Sequence, residues 1–119
     1  MNLPLGAYGE ELARNYLKSK HYSILSSNFR TRYGEIDIIA TYKDLLCFIE
    51  VKTRTSNKFG RPYESVSFYK IKRIQQAALM YIKEKDLHFK KFRIEVISIE
   101  LNSDMSLKSL KHFQNVEPS

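Results

Sequence analysis

Gly34-Glu35-Ile36-Asp37-Ile38-Ile39-Ala40-Thr41-Tyr42-Lys43-Asp44-Leu45-Leu46-Cys47-Phe48-Ile49-Glu50-Val51-Lys52 contains two apolar runs with charges set into them, Ile36 to Ala40 and Leu45 to Val51. A charge is expensive to bury unless it is paired or binds a metal. Side chains alternate along a strand, so Glu35 and Asp37 are expected on one face, with Ile36, Ile38 and Ala40 on the other. On the second run Glu50, Lys52 and Arg54 share a face, opposite Ile49, Val51 and Thr53. Tyr42-Lys43-Asp44-Leu45 is the one turn candidate between the runs. A symmetric loop of two or four residues centred on Lys43-Asp44 sets Asp37 opposite Glu50 and Glu35 opposite Lys52. A slip of one residue would undo that arrangement.

Two carboxylates and a lysine converging on one patch can hold a divalent cation beside a phosphate. Oxygen ligands from Asp and Glu suit Mg²⁺ or Mn²⁺, and a nearby lysine can orient a nucleophile or stabilise developing charge. The competing explanation is a cross-strand salt bridge on a solvated face. It is disfavoured because Leu46 and Phe48 share the face of Glu50, which implies that the face is covered.

The chain has 119 residues, read as a single domain with its core at about 6–101 and a tail, 102–119, made of an edge strand and a frayed end. No apolar run approaches the roughly 20 residues of a membrane helix, and the start lacks the pattern of a signal peptide. A single cysteine, Cys47, allows no internal disulfide and sits where a small buried hydrophobe is expected. A cytoplasmic location fits. The net charge of +7 is segregated: residues 52–93 hold twelve Lys/Arg against Glu64, Glu84 and Asp86, a local +9. Such a distribution suggests a side that faces a polyanion, although a solvated lysine-rich surface explains charge alone equally well.

Apolar spacing predicts a helix from Gly6 to Lys20, with a stripe of Leu5, Tyr8, Leu12 and Tyr16 flanked by Ala13 and Leu17. Gly9 lies on that packed side, where a missing side chain permits close backbone approach. Strands are predicted at Tyr22 to Phe29, Gly34 to Tyr42 and Leu45 to Arg54, followed by a loop over Thr55 to Ser65. A second helix starts near Ser65 or Ser67 and packs Ile71, Ile74, Ala78, Tyr81 and Ile82. Phe92 to Leu101 alternates as a strand, and Leu107 to Phe113 is a short edge strand. The order αβββαβ(β) describes a mixed sheet with flanking helices, α/β in class. His21, His88 and His112 have no ligand-like spacing and read as structural or surface residues. Tyr8, Phe59, Tyr63, Phe68 and Tyr69 border the basic segments, where core packing competes with base stacking.

Taken in order, Gly6-x-x-Gly9-Glu10 with Ala13, Asn28-x-Arg30, Gly34-Glu35-Ile36-Asp37, Phe48-Ile49-Glu50-Val51-Lys52-Thr53-Arg54, Phe59-Gly60, Lys70 and Arg73 span about residues 6–100. The series resembles the PD-(D/E)XK nuclease superfamily, and within it the small bacterial YraN-type proteins, which are similar to archaeal Holliday-junction resolvases. The chain departs from that pattern at Phe92-Arg93-Ile94-Glu95, where the family usually has Asp, and after Asn102. The resemblance implies a restriction-endonuclease-like fold. It implies Asp37, Glu50, Lys52 and Glu10 as catalytic residues, and Asp37, Glu50 and the Val51 carbonyl as ligands of Mg²⁺ or Mn²⁺. Glu35 is a supporting acid.

The expected function is a metal-dependent endonuclease hydrolysing DNA, branched or otherwise structured. The alternatives are a non-catalytic nucleic-acid-binding module on the same fold, and a scaffold or interaction protein. Phosphate contacts are expected from Arg54, Lys58, Arg61, Lys70, Lys72 and Arg73, with little base readout. No membrane partner is expected. A two-fold homodimer would supply two active sites to a symmetric junction, with Leu79 and Met80 as apolar contacts; a monomer is the alternative.

Overall fold

The computed structural model describes residues 4–55, 67–87 and 91–116. Lys58, Arg61, Phe59, Gly60, Tyr63 and His88 therefore lie outside the described residues. The elements are α1 (Leu5–Ser19), β1 (Ser23–Thr31), β2 (Gly34–Tyr42), β3 (Leu45–Thr55), α2 (Phe68–Glu84), β4 (Phe92–Leu101) and β5 (Leu107–Phe113). The five strands form one sheet in sequence order. Only the β3–β4 pairing is parallel; the other three are antiparallel. Parallel neighbours need a crossover, and α2 supplies it. The predicted order and class hold, with β5 as the expected edge strand.

Among the described residues each face of the sheet carries one helix. Ala13 and Leu17 of α1 pack with Ile38, Ala40, Cys47, Ile49, Ile97 and Ile99. Ile71, Ile74, Ala77, Ala78 and Tyr81 of α2 pack with Ile39, Leu46, Phe48 and Ile94 on the other side. Alternation along β3 separates the two layers, Cys47 and Ile49 facing α1 while Leu46 and Phe48 face α2. Phe48 sits edge-on to both Tyr81 and Phe92, at centroid distances of 5.9 and 5.6 Å, the geometry aromatic quadrupoles favour.

The buried centre of α1 is not the expected Leu5–Tyr8–Leu12–Tyr16 stripe. Its buried residues are Gly9, Ala13 and Leu17, while Tyr8, Leu12 and Tyr16 flank them half-buried and Leu5 is exposed. Small residues at i and i+4 let the helix approach the sheet more closely than a large stripe allows. The contact is tight: a Cβ on Gly9 would lie 1.8 Å from Thr53 Oγ1 and 2.8 Å from Thr53 Cβ. Gly9→Ala should therefore lose roughly 1–3 kcal/mol in urea denaturation through overpacking, despite alanine's better helix propensity. Adding Thr53→Ala should restore part of the loss, because only the Cβ contact remains. A single mutant as stable as wild type would refute the close approach.

Both helices end without glycine. Tyr22 N–H donates to the Leu17 carbonyl and His21 N–H to that of Lys18, with His21 at φ 70°. Leu87, Asp86, Ile82 and Lys83 repeat the pattern in α2, with Asp86 at φ 51°. This is the Schellman termination, and it satisfies carbonyls that the last turn leaves open. His21 is thus structural. At its start α2 is capped by Ser67, whose Oγ accepts the Lys70 N–H at 3.1 Å, as one of the two serine candidates predicted.

The expected register of the β2–β3 hairpin holds. Tyr42 pairs Leu45 across Lys43-Asp44, and the ladder runs to Ile38 opposite Ile49. Lys43 takes a left-handed φ of 53°, an unfavourable conformation for a side chain-bearing residue. The hairpin tolerates it because a one-residue slip would expose the buried residues on both faces.

One face assignment is corrected. Ile38 and Ala40 pack beneath α1, but Ile36 packs with α2. The switch occurs at Asp37. The Asn28–Asp37 pair is missing although Ser27–Ile38 and Phe29–Ile36 keep one register on either side of it, and Asn28 is left-handed at φ 55°. A left-handed residue interrupts the regular pleat of the pair there, while the register shift of β1 itself lies earlier, between Ile24 and Ser26.

Candidate active site

Beyond Ile38 the β2–β3 ladder opens. The same register carries Asp37 across from Glu50, but Asp37 Oδ2 accepts the Val51 N–H at 2.8 Å. A side-chain oxygen stands where a strand carbonyl would be. Glu50 is buried, at 4 % exposure. Burial first, and the adjacent Glu50 second, push the Asp37 carboxyl up to about 7 against the opposing Val51 hydrogen bond. Forcing two carboxylates together in a poorly solvated place disfavours a second negative charge. Lys70 reaches in from the first turn of α2, its Nζ 2.6 Å from Glu50 Oε2. Burial works against the Lys70 charge, but Glu50 and Asp37 outweigh it and its pKa is raised.

Glu10 comes from α1, one residue after the Gly9–Thr53 contact. It is half-buried, and its pKa is raised by burial, then by Glu35 and more weakly by Glu50, with Arg14 and Asn28 opposing. Asn28 is the link. With its amide nitrogen turned to the acids, it donates to Glu10 Oε1 at 3.0 Å and Glu35 Oε1 at 2.7 Å. Its left-handed backbone and bridging amide hold together two carboxylates that would otherwise repel. Glu35 also faces Arg30, with Nε 3.7 Å from Oε2. Four acids from α1, β2 and β3 are thus neighbours, with Glu50 the most deeply buried.

Of the other expected residues, Lys52 is on β3 in register with Ser98, half-buried, on the strand face of Glu50. Arg54 is half-buried opposite Glu100. Lys72 and Arg73 are exposed on α2. Lys70 is a basic residue found directly on the buried Glu50. Asn28, Arg30 at the end of β1 and the turn residue Arg32 have no site role in the sequence reading. Asn28 and Arg30 appear there only as matched positions, and both arginines lie in the part of the chain with net negative charge.

A divalent cation fits this donor set. Asp37 and Glu50 are hard oxygen donors whose mutual repulsion a cation would relieve. A residue's N–H and C=O leave an extended strand on the same side, so the Val51 carbonyl also faces β2. Among the described residues no three acid, His or Cys side chains form a ready cage. Two carboxylates with one carbonyl suit an ion that keeps several waters, as Mg²⁺ does.

The sequence profile of the uncharacterised protein family UPF0102 matches residues 9–99. The chain belongs to this family. It is the family to which the YraN-type resemblance points. A UPF0102 protein of Clostridium novyi is 45 % identical over 114 residues, 96 % of this chain and 95 % of the relative. Another, of Dictyoglomus turgidum, is 40 % identical over 114 residues, covering 96 % and 97 %. A third, from Syntrophomonas wolfei, is 46 % identical over 99 residues, covering 83 % and 86 %. The matched span runs from Gly9 through Asn28, Asp37, Glu50, Lys52 and Lys70 into β4, so it takes in all of these site positions. Among the described residues no helix is long and apolar enough to cross a membrane.

Proposed function

We propose that this UPF0102 protein is a Mg²⁺- or Mn²⁺-dependent endonuclease that hydrolyses phosphodiester bonds in DNA, with branched or otherwise structured DNA as its substrate. The observation that carries this reading is the Asp37–Glu50 pair, forced together where the β2–β3 ladder opens, within a chain of net charge +7. Asp37, Glu50 and the Val51 carbonyl would hold the cation. When bound, such a cation neutralises phosphate charge and lowers the pKa of a water. Lys52 would donate to a phosphate oxygen and stabilise charge that develops there. Glu10 is a further acid able to accept a proton or orient a water, positioned by Asn28. Lys70 and Arg73 would meet the phosphates that flank the scissile one.

The second reading is a nucleic-acid-binding module that does not cut. Its support is Lys70, whose ammonium already occupies a Glu50 oxygen and could satisfy the site without a metal. Incubation with Mg²⁺ or Mn²⁺ on supercoiled, single-stranded and four-way-junction DNA separates the two. Wild type should cut, and Lys52→Ala should cut on the order of 10²–10³-fold more slowly with DNA binding retained. Binding without cleavage by wild type under either metal would favour the module.

A further inference from the structure

A cleft of about 310 Å³ opens between the β1–β2 turn and the first turns of α2, lined by Tyr33, Gly34, Glu35, Tyr69, Lys70 and Arg73. It adjoins the acids at two points: Lys70 is the residue on Glu50, and Glu35 is the residue Asn28 ties to Glu10. Its volume lies at the small end of ligand clefts, which run from roughly 300 to 1,000 Å³. That is room enough for one planar ring system.

Two features of the lining are unexplained by folding. Tyr69 is 78 % exposed, although it opens a helix whose inner face is otherwise well packed, and its neighbour Phe68 is 46 % exposed with the ring edge-on to it at 5.8 Å. Tyr33 lies across the cleft in a two-residue turn. There the Arg32 guanidinium lies 5.0 Å from the centroid of its ring and donates to its hydroxyl at 2.9 Å. Thr31 Oγ1 braces that turn by accepting the Tyr33 N–H at 3.0 Å and donating to the Gly34 carbonyl at 3.1 Å. Gly34 takes φ 135° and has nothing within 4 Å of where a Cβ would be. The wall between the tyrosine and the acids is therefore bare backbone, in a conformation that side chain-bearing residues rarely adopt. Lys70 and Arg73 bring positive charge to the lining, and Arg32 stands against the Tyr33 ring beside it.

Aromatic rings across an open cleft that is lined in part by cations, beside a phosphate-cutting site, are the parts of a single-strand platform. Bases stack on the rings and phosphates meet the cations. We infer that the cleft receives a nucleobase turned out of its stack beside the scissile phosphate, so that the site prefers a segment with unpaired bases. The inference rests on the nuclease or nucleic-acid-binding reading above and adds the strand state of the substrate. A paired base would first have to leave the duplex, at an energetic cost that an unpaired one avoids.

Binding to a fluorescent oligonucleotide carrying one 2-aminopurine, as a single strand and as a duplex of equal length, tests this in EDTA, where metal-dependent cleavage is silent. Wild type should bind the single strand more tightly and change its 2-aminopurine emission. Tyr33→Leu and Tyr69→Leu should each weaken single-strand binding by roughly 5- to 150-fold, leave duplex binding within about twofold, and lose the emission change. Thermal unfolding of both variants controls for folding, and Tyr69 is too exposed to support the core. Wild type that binds DNA while both variants match it on the single strand would overturn the cleft alone. So would equal losses on single strand and duplex. Wild type that binds neither form would overturn the cleft and the nucleic-acid reading together.

Discussion

Asp37→Asn is expected to make the metal-free protein more stable at pH 8, by up to about 4 kcal/mol. The Asp37 carboxyl, ordinarily at 3.8, is raised to about 7 in the folded protein, by burial first and by Glu50 second. Between about pH 4 and pH 7 the folded chain therefore holds a proton that the unfolded chain has released. Stability falls as pH rises through that window and stays low above it. Asparagine has no charge to bury, and its side-chain carbonyl can still accept the Val51 N–H. The gain should accordingly vanish near pH 4. Urea denaturation in EDTA at pH 4 and pH 8 measures both ends, and a pH-independent difference would contradict the account. Mg²⁺ at pH 8 should then stabilise wild type and not the mutant, since a ligand that binds only the folded form raises its stability. The substitution that removes the candidate metal ligand is the one that relaxes the fold.

Glu95→Ala should have the largest effect in the opposite direction, a loss of about 3–5 kcal/mol, the usual result of breaking one side of a buried charged network. Glu95 is fully buried at the start of β4. Arg93 Nε donates to its Oε2, Tyr22 donates to it at 3.0 Å, and His112 Nε2 lies 2.6 Å from its Oε1. Tyr16 extends the chain to His112 Nδ1 at 3.1 Å, joining α1, β4, β5 and the short link that leads into β1. Burial works to raise the Glu95 pKa, but His112 and Arg93 outweigh it and hold it below the ordinary 4.5. A lowered acid contributes stability above its unfolded value and loses it as pH falls through its folded one. Wild type should thus weaken in acid through Glu95, and the alanine variant should lack that component. Glu95→Gln, which keeps hydrogen-bonding atoms of similar shape, should lose less than alanine. Equal losses would mean that packing, not charge, holds these segments together.

The contrast between these two acids marks what could be read from sequence. Asp37 and Glu50 were legible because each interrupts an apolar run whose period of two fixes its register. The Lys43-Asp44 turn is a poor hairpin signal, yet the core on both faces enforced the expected pairing. Lys70 is a candidate in the sequence as an expected phosphate contact, and its place on Glu50 is set by α2. Glu95 sits in an equally apolar run and was left without a role, because its partners Tyr22 and His112 are 73 and 17 residues away. No local period encodes such a contact. Ile36 lies on the face opposite to the expected one because alternation assumes an unbroken strand, and the left-handed break at Asn28 belongs to the neighbouring one. The helix ends at His21 and Asp86 lack the glycine that usually announces this termination. Cys47 behaves as expected of a buried thiol: burial, with Glu95 nearby, pushes it up to about 12, far from a reactive thiolate.

The Gly9–Thr53 contact has a bearing on how the site is held. Glu10 follows Gly9 on the helix, and Lys52 precedes Thr53 on the strand, so two of the candidate catalytic residues flank one steric pin. Lys70 draws Asp37 and Glu50 together through charge against their mutual repulsion, and that balance changes with every proton gained or lost. The pin carries no charge and cannot titrate. The site is thus anchored by shape as well as by electrostatics, and acid or salt that loosens the charged contacts leaves the pin as a fixed point of reference.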